Sequence, residues 1–146
     1  LKFQGRLELA QPLAQRLAQA VTEAGGRVDT VLPVPLSSAR LRDRGYNQAW
    51  ELARRVARQL DLPAESRWLE RPVQGEHQTD LGREARQRNL KGAFMVAPDH
   101  RSALAGRHVA LVDDVLTTGA TLQEATRCLL RAGAASVEVW TVARTA

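Results

Sequence analysis

At 146 residues, 44% apolar and 25% charged, the chain has the totals of one ordinary globular domain over residues 1–146, which excludes disorder along its whole length. Its 21 basic residues outnumber 16 acidic ones and leave a net charge of +5, a balance that favours anionic partners such as phosphates, nucleotides and nucleic acid. A single cysteine, Cys128, excludes an internal disulfide and a cysteine-built metal cluster and fits a reducing cytoplasm, and no apolar run approaches the roughly 18 residues of a membrane span.

Leu9, Leu13, Leu17 and Val21 form an i, i+4 stripe that predicts an amphipathic helix over Leu9 to Ala24, stopped by Gly25-Gly26. Val28 to Val34 then reads as a strand that runs into a loop at Pro33 and Pro35. Ser37 to Asn47 is polar and dense in arginine, and Ala49, Leu52, Ala53, Val56 and Leu60 mark a second helix. From 64 to 100 an extended connection is expected, with short strands near Trp68-Leu69 and at Ala93 to Val96, and a short helix over Glu84 to Leu90. Val109-Ala110-Leu111-Val112 is a continuous apolar run, the pattern of a strand buried on both faces. Thr121 to Arg131 is helical, with Leu122, Ala125, Leu129 and Leu130 facing inward and Gly133 closing its end, and Ser136 to Val142 is a last strand. Strands alternating with helices predict an α/β fold, a mostly parallel sheet with helices on both faces.

The chemistry concentrates after the buried strand. In open α/β sheets, ligands sit beyond the carboxyl ends of the strands, where Asp113 and Asp114 fall. Adjacent carboxylates raise one another's proton affinity, so a cation or a set of hydroxyl donors is expected beside them. A ribose supplies two vicinal hydroxyls, and Mg²⁺ carried on phosphates and water supplies charge. Thr117-Thr118-Gly119-Ala120-Thr121 follows and enters a helix, a turn of small residues able to wrap an anion against the helix N-terminus. Read singly, Thr118 or Thr121 is a helix cap and the two aspartates are a solvated loop. Read in order, the segment lays a diol site and a phosphate site along one path. The Gly-x-x-x-x-Gly-Lys-Ser/Thr loop of nucleotide phosphate sites is absent from the sequence.

Val109 to Thr121 resembles the signature for 5-phosphoribosyl-1-pyrophosphate (PRPP) of the type I phosphoribosyltransferases. The resemblance implies a three-layer fold with a mostly parallel central sheet and a hood segment at about 70–95. It assigns the ribose hydroxyls to Asp113 and Asp114 and the 5′-phosphate to Thr117, Thr118, Gly119, Ala120 and Thr121, with Val115 and Leu116 joining the two in one PRPP-binding segment. The 6-oxopurine branch carries a base-directed aspartate where this chain has Thr117, so a hypoxanthine-type substrate is disfavoured.

The segment from Pro33 to Ala53 is similar to that of the ComF/GntX proteins, phosphoribosyltransferase-like proteins linked to competence and the use of external DNA. Lys2-Phe3, Gly5, Leu9-Ala10 and Leu13-Ala14 match that family's entry segment, and Gln78, Leu81, Arg86, Asn89 and Gly92-Ala93-Phe94 stand at its spacing. Within the segment from Pro33 to Ala53, Arg40, Arg42 and Arg44 provide positive charge suited to a pyrophosphate, Arg40 or Arg44 being expected to stabilise its departure, with Ser37 and Ser38 as further contacts and Asn47 and Gln48 as neutral donors. Arginines at this spacing also suit a solvated loop. Arg71, His77, Gln78, Arg83, Arg86 and Arg88 are candidate contacts of the hood, and Tyr46, Trp50, Trp68 and Trp140 are candidates to stack a base, with Trp50 and Trp140 more simply core.

Two departures stand out. Gly75 replaces a threonine often found three residues before Gln78, and the four-cysteine zinc module that many members carry ahead of this domain is not among these residues. No metal is expected to be held by protein ligands alone; Mg²⁺ would ride on PRPP near Asp113 and Asp114. His77, His100 and His108 are too scattered for a metal site, and His100 and His108 are expected at the surface or a strand edge without a partner. The expected partners are PRPP and a base or amine acceptor. The alternatives are a PRPP- or nucleotide-binding module without turnover, and a protein that handles single-stranded DNA.

Overall fold

The computed structural model describes residues 2–36, 41–42, 46–72, 93–116 and 119–144, with the backbone alone at 2–7, 114–116 and 143–144. Along the chain run α1 (Lys2–Ala24), β1 (Thr30–Pro33), α2 (Gln48–Leu60), β2 (Leu69–Glu70), β3 (Met95–Val96), α3 (Pro98–Leu104), β4 (His108–Leu116), α4 (Ala120–Arg131) and β5 (Ser136–Arg144). Predicted helices and strands recur with shifted ends, α1 and β4 being longer than the patterns suggested. The predicted helix at Glu84 to Leu90 and most of the hood segment lie outside the described residues.

β4 is the central strand of a parallel sheet ordered β1–β4–β5. Beyond β1 the chain returns after α2 to add a parallel bridge, in which Val31 donates to the Pro63 carbonyl and accepts from Glu65, both at 2.9 Å. Pro33 stands where that side of β1 next needs an N–H, and the pairing stops. A short antiparallel ribbon, β2 with β3, forms separately, and the Arg71 guanidinium lies 5.3 Å over the Phe94 ring one residue past its end.

Alternation along the strands sorts the core into two halves. Val31, Ala110, Val112 and Trp140 face α1 and α2, whereas Leu32, Val34, Val109 and Leu111 face α4, α3 and the ribbon. Val109, Ala110, Leu111 and Val112 are all fully buried, as expected of a strand covered on both faces. The three-layer α/β expectation holds.

α1 buries a different stripe from the predicted one. Ala10, Ala14 and Ala18 join Leu17 inside, while Leu9 is 55% exposed and Leu13 and Val21 are half-buried. The methyl-sized face lets α1 lie close against Ala53 and Ala57 of α2. On α4, Leu122, Ala125 and Leu129 are buried as predicted, but Leu130 is exposed. Gly133 ends α4 as expected, with φ of 118°: its N–H reaches the Leu130 carbonyl while that of Ala134 reaches Leu129, each at 3.1 Å.

Candidate functional site

β1 and β4 are parallel neighbours whose following helices leave in opposite directions. α2 packs on the face of Val31 and Val112, and α4 packs on the face of Leu32 and Leu111. Helices that diverge from adjacent strands leave a crevice at the carboxyl ends of those strands, the position where open α/β sheets bind ligands.

The hydrogen-bond ladder shows where the crevice opens. β1 stays in register with β4 through the pair Pro33 and Val112, and Val34 donates to the Val112 carbonyl at 2.9 Å. β5 keeps its register with β4 further, through Asp113 with Thr141 and as far as Leu116 with Arg144. From Asp113 onward, β4 is therefore held by β5 and released by β1. Asp113 is half-buried and continues the strand parity of Val109 and Leu111, the face covered by α4. The backbone of Asp114, Val115 and Leu116 continues in β4.

The chain re-enters at Gly119, which caps α4 in the left-handed region with φ of 83° and gives that end no side-chain hydrogen bond. Only glycine adopts this conformation without strain, which explains its place in the turn. Neither Thr118 nor Thr121 is the cap residue. Ala120 begins α4 at the surface and Thr121 is half-buried. Ser37, Ser38, Arg40, Arg44, Thr117 and Thr118 lie outside the described residues, as do His77, Gln78, Arg83, Arg86 and Arg88.

Other expected contacts serve structure. Asn47 is the N-cap of α2: its Oδ1 accepts from the N–H groups of Ala49 at 2.9 Å and Trp50 at 3.4 Å. Its Nδ2 donates to the Val34 carbonyl at 3.2 Å, so the amide expected to contact ligand holds the fold. Gln48 is buried in the first turn of α2. Trp68 and Trp140 are core residues, and Trp50 packs partly against the α1–α2 half of the core. His108 does have a partner, its Nδ1 lying 2.7 Å from Ser136 Oγ, while its backbone N–H donates to Asp29 at 3.1 Å. That cluster stands at the amino end of β4, opposite the crevice.

Among the described residues no three His, Cys, Asp or Glu side chains converge as a metal cage.

The chain belongs to the phosphoribosyl transferase domain family, whose model matches residues 7–146. Within that class it is similar to competence protein F of Haemophilus influenzae, 37% identical over 98% of this chain and 64% of that protein. DNA utilization protein YhgH of Salmonella typhimurium is 39% identical, over 99% of this chain and again 64% of the relative. The chain thus spans a little under two thirds of these relatives. The glutamine PRPP amidotransferase of Bacillus subtilis, solved with ADP and GMP, shares the fold, with a TM-score of 0.64, 20% identity, and coverage of 93% of this chain and 26% of that one. The fold is that of the type I phosphoribosyltransferases.

Proposed function

We propose that the chain binds PRPP in the crevice between β1 and β4 and transfers its phosphoribosyl group to a nitrogen acceptor. The observation that supports this most is the one-sided release of β4 at Asp113, followed by a left-handed glycine turn into α4. Asp113 and Asp114 take the ribose hydroxyls, and the loop from Thr117 to Thr121 takes the 5′-phosphate against the amino end of α4. Arg40, with Ser37, Ser38 and Arg44, meets the pyrophosphate across the crevice.

In the reaction, the bond from C1 to the pyrophosphate oxygen breaks and pyrophosphate leaves with the electron pair. The acceptor nitrogen forms the new bond to C1, and its proton passes to solvent. Arg40 offsets the charge gathering on pyrophosphate, and the two aspartates hold the ribose as positive charge develops at C1. Bound Mg²⁺, held by PRPP oxygens beside Asp113 and Asp114, would add charge neutralisation at the phosphates.

Titration with PRPP and Mg²⁺, followed by an assay for released pyrophosphate over a panel of bases and amines, tests the reading. Binding is expected in the wild type and is expected to vanish in Asp113→Asn/Asp114→Asn. Unchanged binding in that variant refutes the site. Binding without pyrophosphate release across the panel favours a sensing module over an enzyme.

The relatives' names and the net charge of +5 favour a second role in competence or DNA utilisation, with single-stranded DNA as partner. Affinity for an oligonucleotide that falls steeply with added salt supports it, and no binding at low salt removes it for this chain.

A further inference from the structure

We infer that the face formed by α3 and α4 is a docking surface for the phosphate backbone of single-stranded DNA, presented by Arg101, Arg107, Arg127 and Arg131; it gives a place to the DNA-utilisation role proposed above and rests on it. All four arginines are exposed, and each is tied to the protein on one side. Arg101 Nε donates to the Val96 carbonyl at 3.4 Å, and Arg107 Nε to the Ala103 carbonyl at 3.2 Å. The Glu124 carboxylate, only 4% exposed, takes Arg131 at 3.1 Å and Arg127 at 3.6 Å. Such ties occupy part of the five N–H groups of a guanidinium and leave the others outward. The side chains of Arg107, Arg127 and Arg131 are 47%, 62% and 67% exposed. Guanidinia held in this way have less rotamer freedom to lose when a phosphate arrives.

The four lie together. The carboxyl ends of α3 and α4 meet where Gly106 donates to the Gly133 carbonyl at 2.9 Å and Ala135 to the Arg107 carbonyl at 2.8 Å. Arg101 and Arg131 both act electrostatically on the Cys128 thiol, and Arg127 shares Glu124 with Arg131. Against the four arginines stand Glu124 and, 3.9 Å from Arg107, Asp29, so the face stays positive. Trp68, Phe94 and Trp140 are buried, and among the described side chains no aromatic ring is exposed to stack a base. The face therefore suits phosphates and is indifferent to base sequence. A single strand can bend to follow arginines set on two helices and the turn between them, which a stiff duplex cannot. The surface lies along the flank of the domain, away from the crevice at the carboxyl ends of β1 and β4.

Arg107→Gln/Arg127→Gln removes two of the four and leaves Glu124 paired with Arg131. Arg16→Gln/Arg58→Gln removes the same charge from exposed positions on α1 and α2, across the sheet. A labelled thymidylate single strand would be titrated into the wild type and both variants over a range of salt, with urea unfolding to check that each folds. The plot of log affinity against log salt should become shallower by about 1.4 in the first variant, about 0.7 for each lost phosphate contact, and by less than about 0.3 in the second. Arg107→Gln alone should give about half the first change, which keeps the test open if the pair unfolds. Equal changes in the two double variants, or none in the first, overturn this surface and leave the DNA role standing. Displacement of the strand by PRPP, or equal affinity for a blunt duplex, overturns it as well. A wild type that binds no strand at low salt sinks the DNA role and this inference together.

Discussion

Asp61 ends α2 in the left-handed region with φ of 58°, where its N–H reaches the Ala57 and Arg58 carbonyls. An L-residue is strained there, and its side chain is exposed. Asp61→Gly should raise stability by about 0.5–1 kcal/mol, read as a shift in urea midpoint at unchanged slope. Ten residues earlier, Glu51 is contacted by Arg55 at 2.7 Å and Arg54 at 2.8 Å. Burial pushes its carboxyl up, but the hydrogen bonds from both arginines outweigh burial and hold it below its usual 4.5. Its lowered value makes the ionised form a source of stability that is complete above 4.5 and fades as pH drops through the folded-state value. Glu51→Gln should therefore cost about 0.5–1 kcal/mol at neutral pH, a gap that closes in acid when the two proteins are melted side by side. At this scale the sequence was only partly legible. An Asn ahead of an apolar-periodic run is a cap signal, and reading Asn47 as a ligand contact passed over it. The bond between His108 and Ser136 spans 28 residues and depends on the register of β4 with β5, which no local pattern encodes.

Strands were easier to read than helix faces. A four-residue apolar run has few alternatives to a doubly covered strand, and Val109 to Val112 became one. Leu111 is fully buried against the α4 half of the core, so Leu111→Ala should destabilise by about 2–5 kcal/mol, measured by denaturant unfolding. On α1 the leucine stripe misled because burial followed closeness of approach rather than side-chain size. Ala10, Ala14 and Ala18 let the helix sit against the alanines of α2, which turned Leu9 outward. On α4, Leu129 and Leu130 are adjacent and point about 100° apart around the helix, so only one of the two reached the core. Cys128 lies half-buried on the same helix. Burial first, and then the carboxylate of Glu124, push its thiol up against the opposing pull of Arg131 and Arg101.

At the scale of the molecule, the alternation of strands and helices was enough to foresee the layered sheet, and the acid pair marked the strand end at which the site is proposed. The divergence of α2 and α4 was not visible in one dimension, because the side of the sheet taken by a helix is set by its neighbours in space. That divergence makes the candidate site a joint product of two crossovers, so its loss should be separable from loss of the fold. PRPP at a hundred times its dissociation constant should stabilise the wild type by about 2.7 kcal/mol and leave Asp113→Asn/Asp114→Asn unmoved, with both proteins unfolding cooperatively in its absence.

Because β1 lets go of β4 at Val112 while β5 continues alongside it to Leu116, the tail of β5 acts as the only main-chain splint for the acidic segment among the described residues. Thr141 to Arg144 would then tune where the carboxylates sit, even from positions that never touch a ligand. A proline placed in that stretch would unfasten the acids from the sheet and leave the core between the sheet and its helices where it was.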